Sequence, residues 1–139
     1  MENQMSPEQQ KILAKLGKYE QQVKQLHQQL QAIESSIDEM KSLDFGLDEI
    51  QKIVKEDGEK EILAPMGRGI FIEAKLLSDK LTVDVGNKTF VKKSIPETKK
   101  IIKDQIEKLL DVKKDLDKRL EELNTEITQE ISEAENDKE

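Results

Sequence analysis

The stretch ILAPMGRGIFIEAKL, from Ile62 to Leu76, interrupts a chain that is otherwise patterned as helix. It gathers β-branched residues, a proline and two glycines. Glu61 to Ala64 reads as a short strand ended by Pro65, and Gly67-Arg68-Gly69 as a turn. Ile70, Ile72, Ala74 and Leu76 then alternate with Phe71, Glu73 and Lys75 as the returning strand. Further on, Ser78-Asp79-Lys80 turns the chain into Leu81 to Val85, and Gly86-Asn87-Lys88 turns it into Thr89 to Lys93. The pattern predicts two β-hairpins over residues 60–93. Four strands this short leave open edges and too little mass to cover them, an unstable arrangement for a monomer. Strands from several copies, or from a related partner, are expected to close into an intersubunit β-barrel, which makes this segment an oligomerisation platform. The residues expected to build it are Ile62, Leu63, Pro65, Ile70, Phe71, Ile72 and Ala74 of the first hairpin. In the second they are Val83, Val85, Phe90 and Val91.

Outward from this segment the period changes from two to heptads. Ser6 as N-cap, Pro7 at the first helical position and Gln9 three after the cap form a capping box. Ile12, Leu16, Tyr19, Val23, Leu26, Leu30, Ile33, Ile37 and Met40 follow at alternating steps of four and three, so that every a and d position is apolar. After Met40 the phase is read as slipping to Leu43, with the seam resuming at Leu47, Ile50 and Val54. A local bend or overwinding is expected near Leu43 to Gly46. Asp57-Gly58 ends the segment. On the other side, Ser94 with Glu97 and Pro96 opens a second helix. Its seam runs Ile102, Ile106, Leu109, Lys113, Leu116, Leu120, Leu123 and Ile127. Lys113 is the one polar member, read either as a snorkelling stem or as a register device. The chain is thus expected to be a single domain over 1–139: a coiled-coil helix over 6–57, the β segment, a second coiled-coil helix over 94–131, and a disordered tail over 132–139. The fold class is α+β, an antiparallel helical-hairpin coiled coil with two central β-hairpins that assemble into an intersubunit β-barrel.

The totals agree. Of 139 residues only 35% are apolar and 3% aromatic, while 38% are charged, which is thin material for a compact core but sufficient for a seam of two residues in seven. With 23 basic and 30 acidic residues the formal charge is −7, unfavourable for nucleic acid or anionic lipid as a partner. No run approaches the roughly 18 apolar residues of a membrane helix, and MENQMSPEQQ has no signal-peptide pattern, so a cytoplasmic location is expected. Zero cysteine removes disulfides and thiolate chemistry.

Nothing in the chain is patterned as a catalytic or metal site. Gly67-Arg68-Gly69 lacks the spacing of a phosphate loop and no helix follows it. His27, the one histidine, falls beside Leu26 as a solvated side chain, without the partners a metal needs. Glu121, Glu122 and Glu126 read as a solvated face, and Lys99, Lys100 and Lys103 as a salt-bridged surface. No enzyme activity and no cofactor is expected.

ILAPMGRGIFIEAKL followed by LTVDVGNKTFVKKS, between heptad helices of matched length, resembles the alpha class of prefoldin subunits. The matching positions are Pro65, Gly67, Gly69, Ala74, Val83, Val85, Gly86, Val91, Lys93 and Ser94. The departure is Lys88, where the family often has a second glycine, so the turn type is open. The resemblance implies a hexamer of two alpha and four beta-type subunits, with a double β-barrel body and six coiled-coil tentacles. It implies an ATP-independent chaperone that holds non-native client proteins and passes them to a group II chaperonin. On that reading the helix ends, freest to fray, touch clients through Ile12, Leu13 and Leu16 on the first helix and Leu120, Leu123, Ile127 and Ile131 on the second. The same residues also complete the seam. Two other readings stay open: a structural coiled-coil scaffold or adaptor, and a self-assembling filamentous homologue.

Overall fold

The computed structural model describes residues 6–55 and 61–136. Two long helices, α1 (Pro7–Lys55) and α2 (Ile95–Asn136), flank four strands: β1 (Glu61–Gly67), β2 (Ile70–Lys75), β3 (Leu81–Asp84) and β4 (Phe90–Lys93). The expected end of the first helix at Asp57-Gly58 lies outside the described residues. Both caps form as their residues dictate. At α1, Gln9 N–H donates to Ser6 Oγ at 3.1 Å and Ser6 N–H donates to Gln9 Oε1 at 3.0 Å, a complete capping box. At α2, Glu97 N–H donates to Ser94 Oγ at 3.2 Å, and the Thr98 hydroxyl donates to the Ser94 carbonyl at 2.9 Å.

The strands pair as two separate antiparallel hairpins, β1 with β2 and β3 with β4. Pro65 does not end β1 as expected. It sits within the strand opposite Phe71, followed by a bulge before Gly67. Both strands of a two-stranded sheet are edges, where a missing N–H is tolerated. Arg68 and Gly69, with φ of 53° and 78°, form the two-residue loop of a type I′ turn. The second turn has the same hand. Asn87 and Lys88 stand at φ 50° and 58°, and Thr89 N–H donates to the Gly86 carbonyl at 2.9 Å. Lys88 therefore holds the left-handed conformation that a glycine would take there at less cost.

The chain divides into two compact units, one of residues up to Ile37 and from Lys108 onward, the other of Asp38–Glu107. In the first, Leu26, Leu30, Ile37 and Leu123 are buried. Lys15 pairs with Glu130 and Glu34 with Lys113, so ascending α1 means descending α2 and the helices run antiparallel. In the second, Leu47, Ile95 and Ile102 form a buried cluster against which Met40, Ile50, Leu81 and Ile106 pack. Leu81 thereby ties β3 to the helix segments.

Two details of the seam differ from the sequence reading. The phase does not slip after Met40. Steps of four and three continue through Asp44, Leu47, Gln51 and Val54, all buried or half-buried, while Leu43 is 53% exposed. Asp44 can hold a seam position because Lys99 faces it: Lys99 Nζ lies 3.9 Å from the Asp44 carboxylate and donates to Asp48 Oδ1. An acid answered by a cation replaces the expected leucine. On α2 the same spacing extends past Ile127 to Glu130 and Ala134, both half-buried, and the helix continues to Asn136. Residues 132–136 are therefore helical rather than part of a disordered tail, since Ala134 stays in register and the intervening glutamates are good helix formers.

Candidate functional sites

Apolar side chains open to solvent lie along the helices at Leu43, Phe45, Ile101, Leu110 and Val112, and in two further regions that coincide with the two sets of residues the sequence singles out. The first is the pair of hairpins. Cross-strand register places Leu63 and Glu73 with Pro65 and Phe71 on one face of β1–β2, and Ile62 and Ala74 with Ala64 and Ile72 on the other. Leu63, Pro65, Ile70, Phe71 and Ile72 are exposed, and Ile62 and Ala74 are half-buried. In β3–β4, Val83 and Val91 are half-buried opposite one another, while Val85 and Phe90 are exposed. Contiguous open apolar surface of this kind marks an interaction site in a folded protein. Sequence reasoning missed three residues of similar exposure. Met66 occupies the bulge, Leu77 in the segment between the hairpins is 98% exposed, and Phe45 points out from α1. Leu77 and Phe45 lie off the strand and seam positions that a periodic pattern would mark, and Met66, though within β1, falls where the register shifts.

The second region is the end of the first unit formed by the start of α1 and the end of α2. Ile12, Leu16, Leu120 and Ile127 are half-buried in the seam, and Leu123 is its most enclosed member at 1% exposure. Leu13, off the seam, is 50% exposed, and Ile131 is exposed as well. The structure thus separates the expected set into five seam residues and two that face solvent. A groove of about 900 Å³ opens here, lined by Ile12, Leu13, Ala14 and Ala134 together with Lys11, Lys15, Lys18 and Glu130. Lys15 Nζ donates to Glu130 Oε1 at 2.8 Å, and that hydrogen bond, with the charge of Glu130, holds the Lys15 ammonium above its ordinary value. Glu130 and Ala134 were legible only by continuing the heptad count beyond Ile127 through a charged position.

Among the described residues no group of three or more His, Asp or Glu side chains is gathered to hold a metal ion, and no helix is long and apolar enough to cross a membrane. His27 lines a shallow groove beside Val23 and Ile127. Lys99 of the Lys99, Lys100 and Lys103 group is committed to Asp44 and Asp48.

The sequence profile of the family described as Prefoldin subunit matches residues 19–137. This chain belongs to the prefoldin subunit family. Prefoldin subunit alpha 1 of Methanocaldococcus jannaschii is 34% identical to it over 103 residues, which cover 73% of this chain and 72% of that protein. Prefoldin subunit alpha of Methanosphaera stadtmanae is 29% identical over 102 residues, 73% of this chain and 70% of the relative. Among solved structures, a filamentous prefoldin from Methanocaldococcus jannaschii superimposes with a TM-score of 0.68 at 27% identity, covering 85% of this chain and 96% of that one. Prefoldins are chaperone subunits rather than enzymes, and they form oligomeric complexes with other prefoldin subunits. The α+β architecture of two long helices and two antiparallel hairpins is the prefoldin fold.

Proposed function

We propose that this chain is the alpha-type subunit of a hexamer with four beta-type prefoldin subunits, working in the cytoplasm without ATP or cofactor. It binds unfolded or nascent proteins at the free end of its helices, keeps them from aggregating and passes them to a group II chaperonin. The hairpin residues Ile62, Leu63, Pro65, Ile70, Phe71, Ile72, Ala74, Val83, Val85, Phe90 and Val91 join strands of neighbouring subunits into the barrel. The observation that carries this reading is how the apolar surface is divided. The seam between the helices is closed around Leu123, whereas the hairpins and the end bearing Leu13 and Ile131 present apolar side chains to water.

The test follows light scattering as a denatured client is diluted into buffer with this chain alone, with a beta-type partner, and with a complex lacking the outer two heptads of each helix. Suppression by the intact complex alone is the expected result. A complex that forms and never suppresses aggregation would replace the chaperone with a scaffold. One observation favours a second reading, self-assembly, since the structural relative with a TM-score of 0.68 is filamentous. Filaments of the isolated chain in electron micrographs would establish it.

A further inference from the structure

The groove at the end of the first unit is not electrically neutral. Lys11, Lys15 and Lys18 stand at spacings of four and three, on one face of α1. Lys15 is engaged at 2.8 Å by Glu130, whose own side chain is half-buried. Displacing Glu130 would leave a carboxylate without its cation in a partly dry site, so Lys15 is poorly placed to receive a ligand. Lys11 and Lys18 are exposed and have no ion-pair partner among the described residues. Glu8 is the remaining charged group of the lining. In a chain of formal charge −7, the free charge of this groove is positive, Lys11 and Lys18 outnumbering Glu8. Beside it lie Leu13, half exposed, with Ile12, Ala14 and Ala134.

We infer that this groove selects, among non-native chains, segments in which carboxylates flank an apolar run, with Leu13 and Ile12 receiving the apolar residues and Lys11 and Lys18 reading the acids. The inference rests on the chaperone reading above and adds a client preference to it. Ammonium groups on exposed stems adapt to carboxylates at variable spacing, as a site for unfolded chains requires, because neither lysine is fixed by a partner. The selection is electrostatic at an exposed site and is therefore screened by salt.

The experiment measures anisotropy of three labelled peptides that share one leucine-rich run, flanked by aspartates, serines or lysines, against the full chain alone and in complex with a beta-type partner. The aspartate-flanked peptide is expected to bind about five-fold more tightly than the serine-flanked one at low ionic strength, the range two exposed ion pairs supply. That advantage disappears in 0.5 M salt, where the screening length falls from the ~30 Å of about 0.01 M salt to between ~8 Å and ~3 Å, and in a Lys11→Gln, Lys18→Gln variant, while binding of the serine-flanked peptide is unchanged. Equal binding of all three peptides overturns the client preference and leaves the chaperone reading standing. Preference for the lysine-flanked peptide also overturns it and moves recognition to the acids at the end of α2, Glu133 and Glu135. If no peptide binds and aggregation is not suppressed, the underlying chaperone reading fails.

Discussion

Leu123 and Leu13 have the same side chain near the same end of the helix pair, and their variants should fail in opposite ways. Leu123 is 1% exposed. A buried Leu→Ala change costs about 2–5 kcal/mol, rising with the volume of the cavity that persists. Leu123 is enclosed by one partner helix and by half-buried seam neighbours, so the site can partly collapse and the loss falls at about 2–3 kcal/mol. Leu13 is 50% exposed, and half of the roughly 1.5–3 kcal/mol for full burial is lost on truncation. Alanine returns a few tenths through its helix propensity, so Leu13→Ala destabilises by about 1 kcal/mol or less. Urea denaturation followed by helical circular dichroism gives both numbers. Light scattering of a diluted client, at concentrations where each variant is folded, gives the functional counterpart. Leu13→Ala is expected to weaken suppression with little loss of stability, and Leu123→Ala to do the reverse. Equal destabilisation by the two, or a loss below about 1 kcal/mol for Leu123→Ala, would refute the division of this end into a closed seam and an open flank.

Three further changes test separate features. A Cβ added at Gly17, in the interior of α1, would meet nothing within 4 Å, so Gly17→Ala should stabilise by about 0.4–1 kcal/mol, read as a raised urea midpoint. Lys88 holds a left-handed conformation at φ 58°, and Lys88→Gly should stabilise the second hairpin by about 0.5–1 kcal/mol, measured as a higher Tm. The Lys15 ammonium is held above its ordinary value of 10.5 by Glu130. Its contribution is fully present below that value and lost as pH rises through the higher folded-state value. The stability advantage of the native chain over Lys15→Met should therefore be flat from neutral pH to about pH 10 and decline above it, and an advantage that declines toward acid across neutrality would contradict the assignment.

How much was legible in the sequence follows from which residue types carried the signal. The caps at Ser6 and Ser94 and the turns at Gly67 and Gly86 were readable because each depends on a side chain or on a φ that few residues supply. The seam was readable where it was apolar, and at Lys113 between apolar neighbours, and misread at Asp44 and Glu130. At Asp44 the reading followed the nearest leucine, Leu43, off the helix face, because a lone acid among hydrophobes looks like the end of a pattern. Its partner Lys99 lies on the other helix, more than fifty residues away in sequence, so the compensation is invisible to a local window. Ala134 and Glu130 were lost to the same habit, and with them most of the α2 side of the groove. The exposure of Phe45 and Leu77 had no local signature at all. Periodicity tells which residues share a face, but not whether another chain covers that face.

The charged seam positions of α2 share a logic that the apolar ones lack. Lys99 meets Asp44 and Asp48, Lys113 lies 3.5 Å from Glu34, and Glu130 meets Lys15. An apolar heptad seam tolerates a slip of seven residues, because one leucine replaces another. The charges do not. Sliding α2 by one heptad brings Lys99 toward Lys41 or Lys55, depending on direction, and Lys113 toward His27 or Lys41. Glu130 moves toward Glu8 or Gln22. Each exposed pair is weak in place, little as a source of stability, yet a slip converts several attractions into repulsions or losses at once. Together they separate one register from the next, which no single exposed pair would do. Of the two readings that Lys113 allows from sequence, its pairing with Glu34 favours the register device. That same fixed register brings Lys15 to Glu130, which leaves Lys11 and Lys18 as the cations of the groove without an ion-pair partner among the described residues.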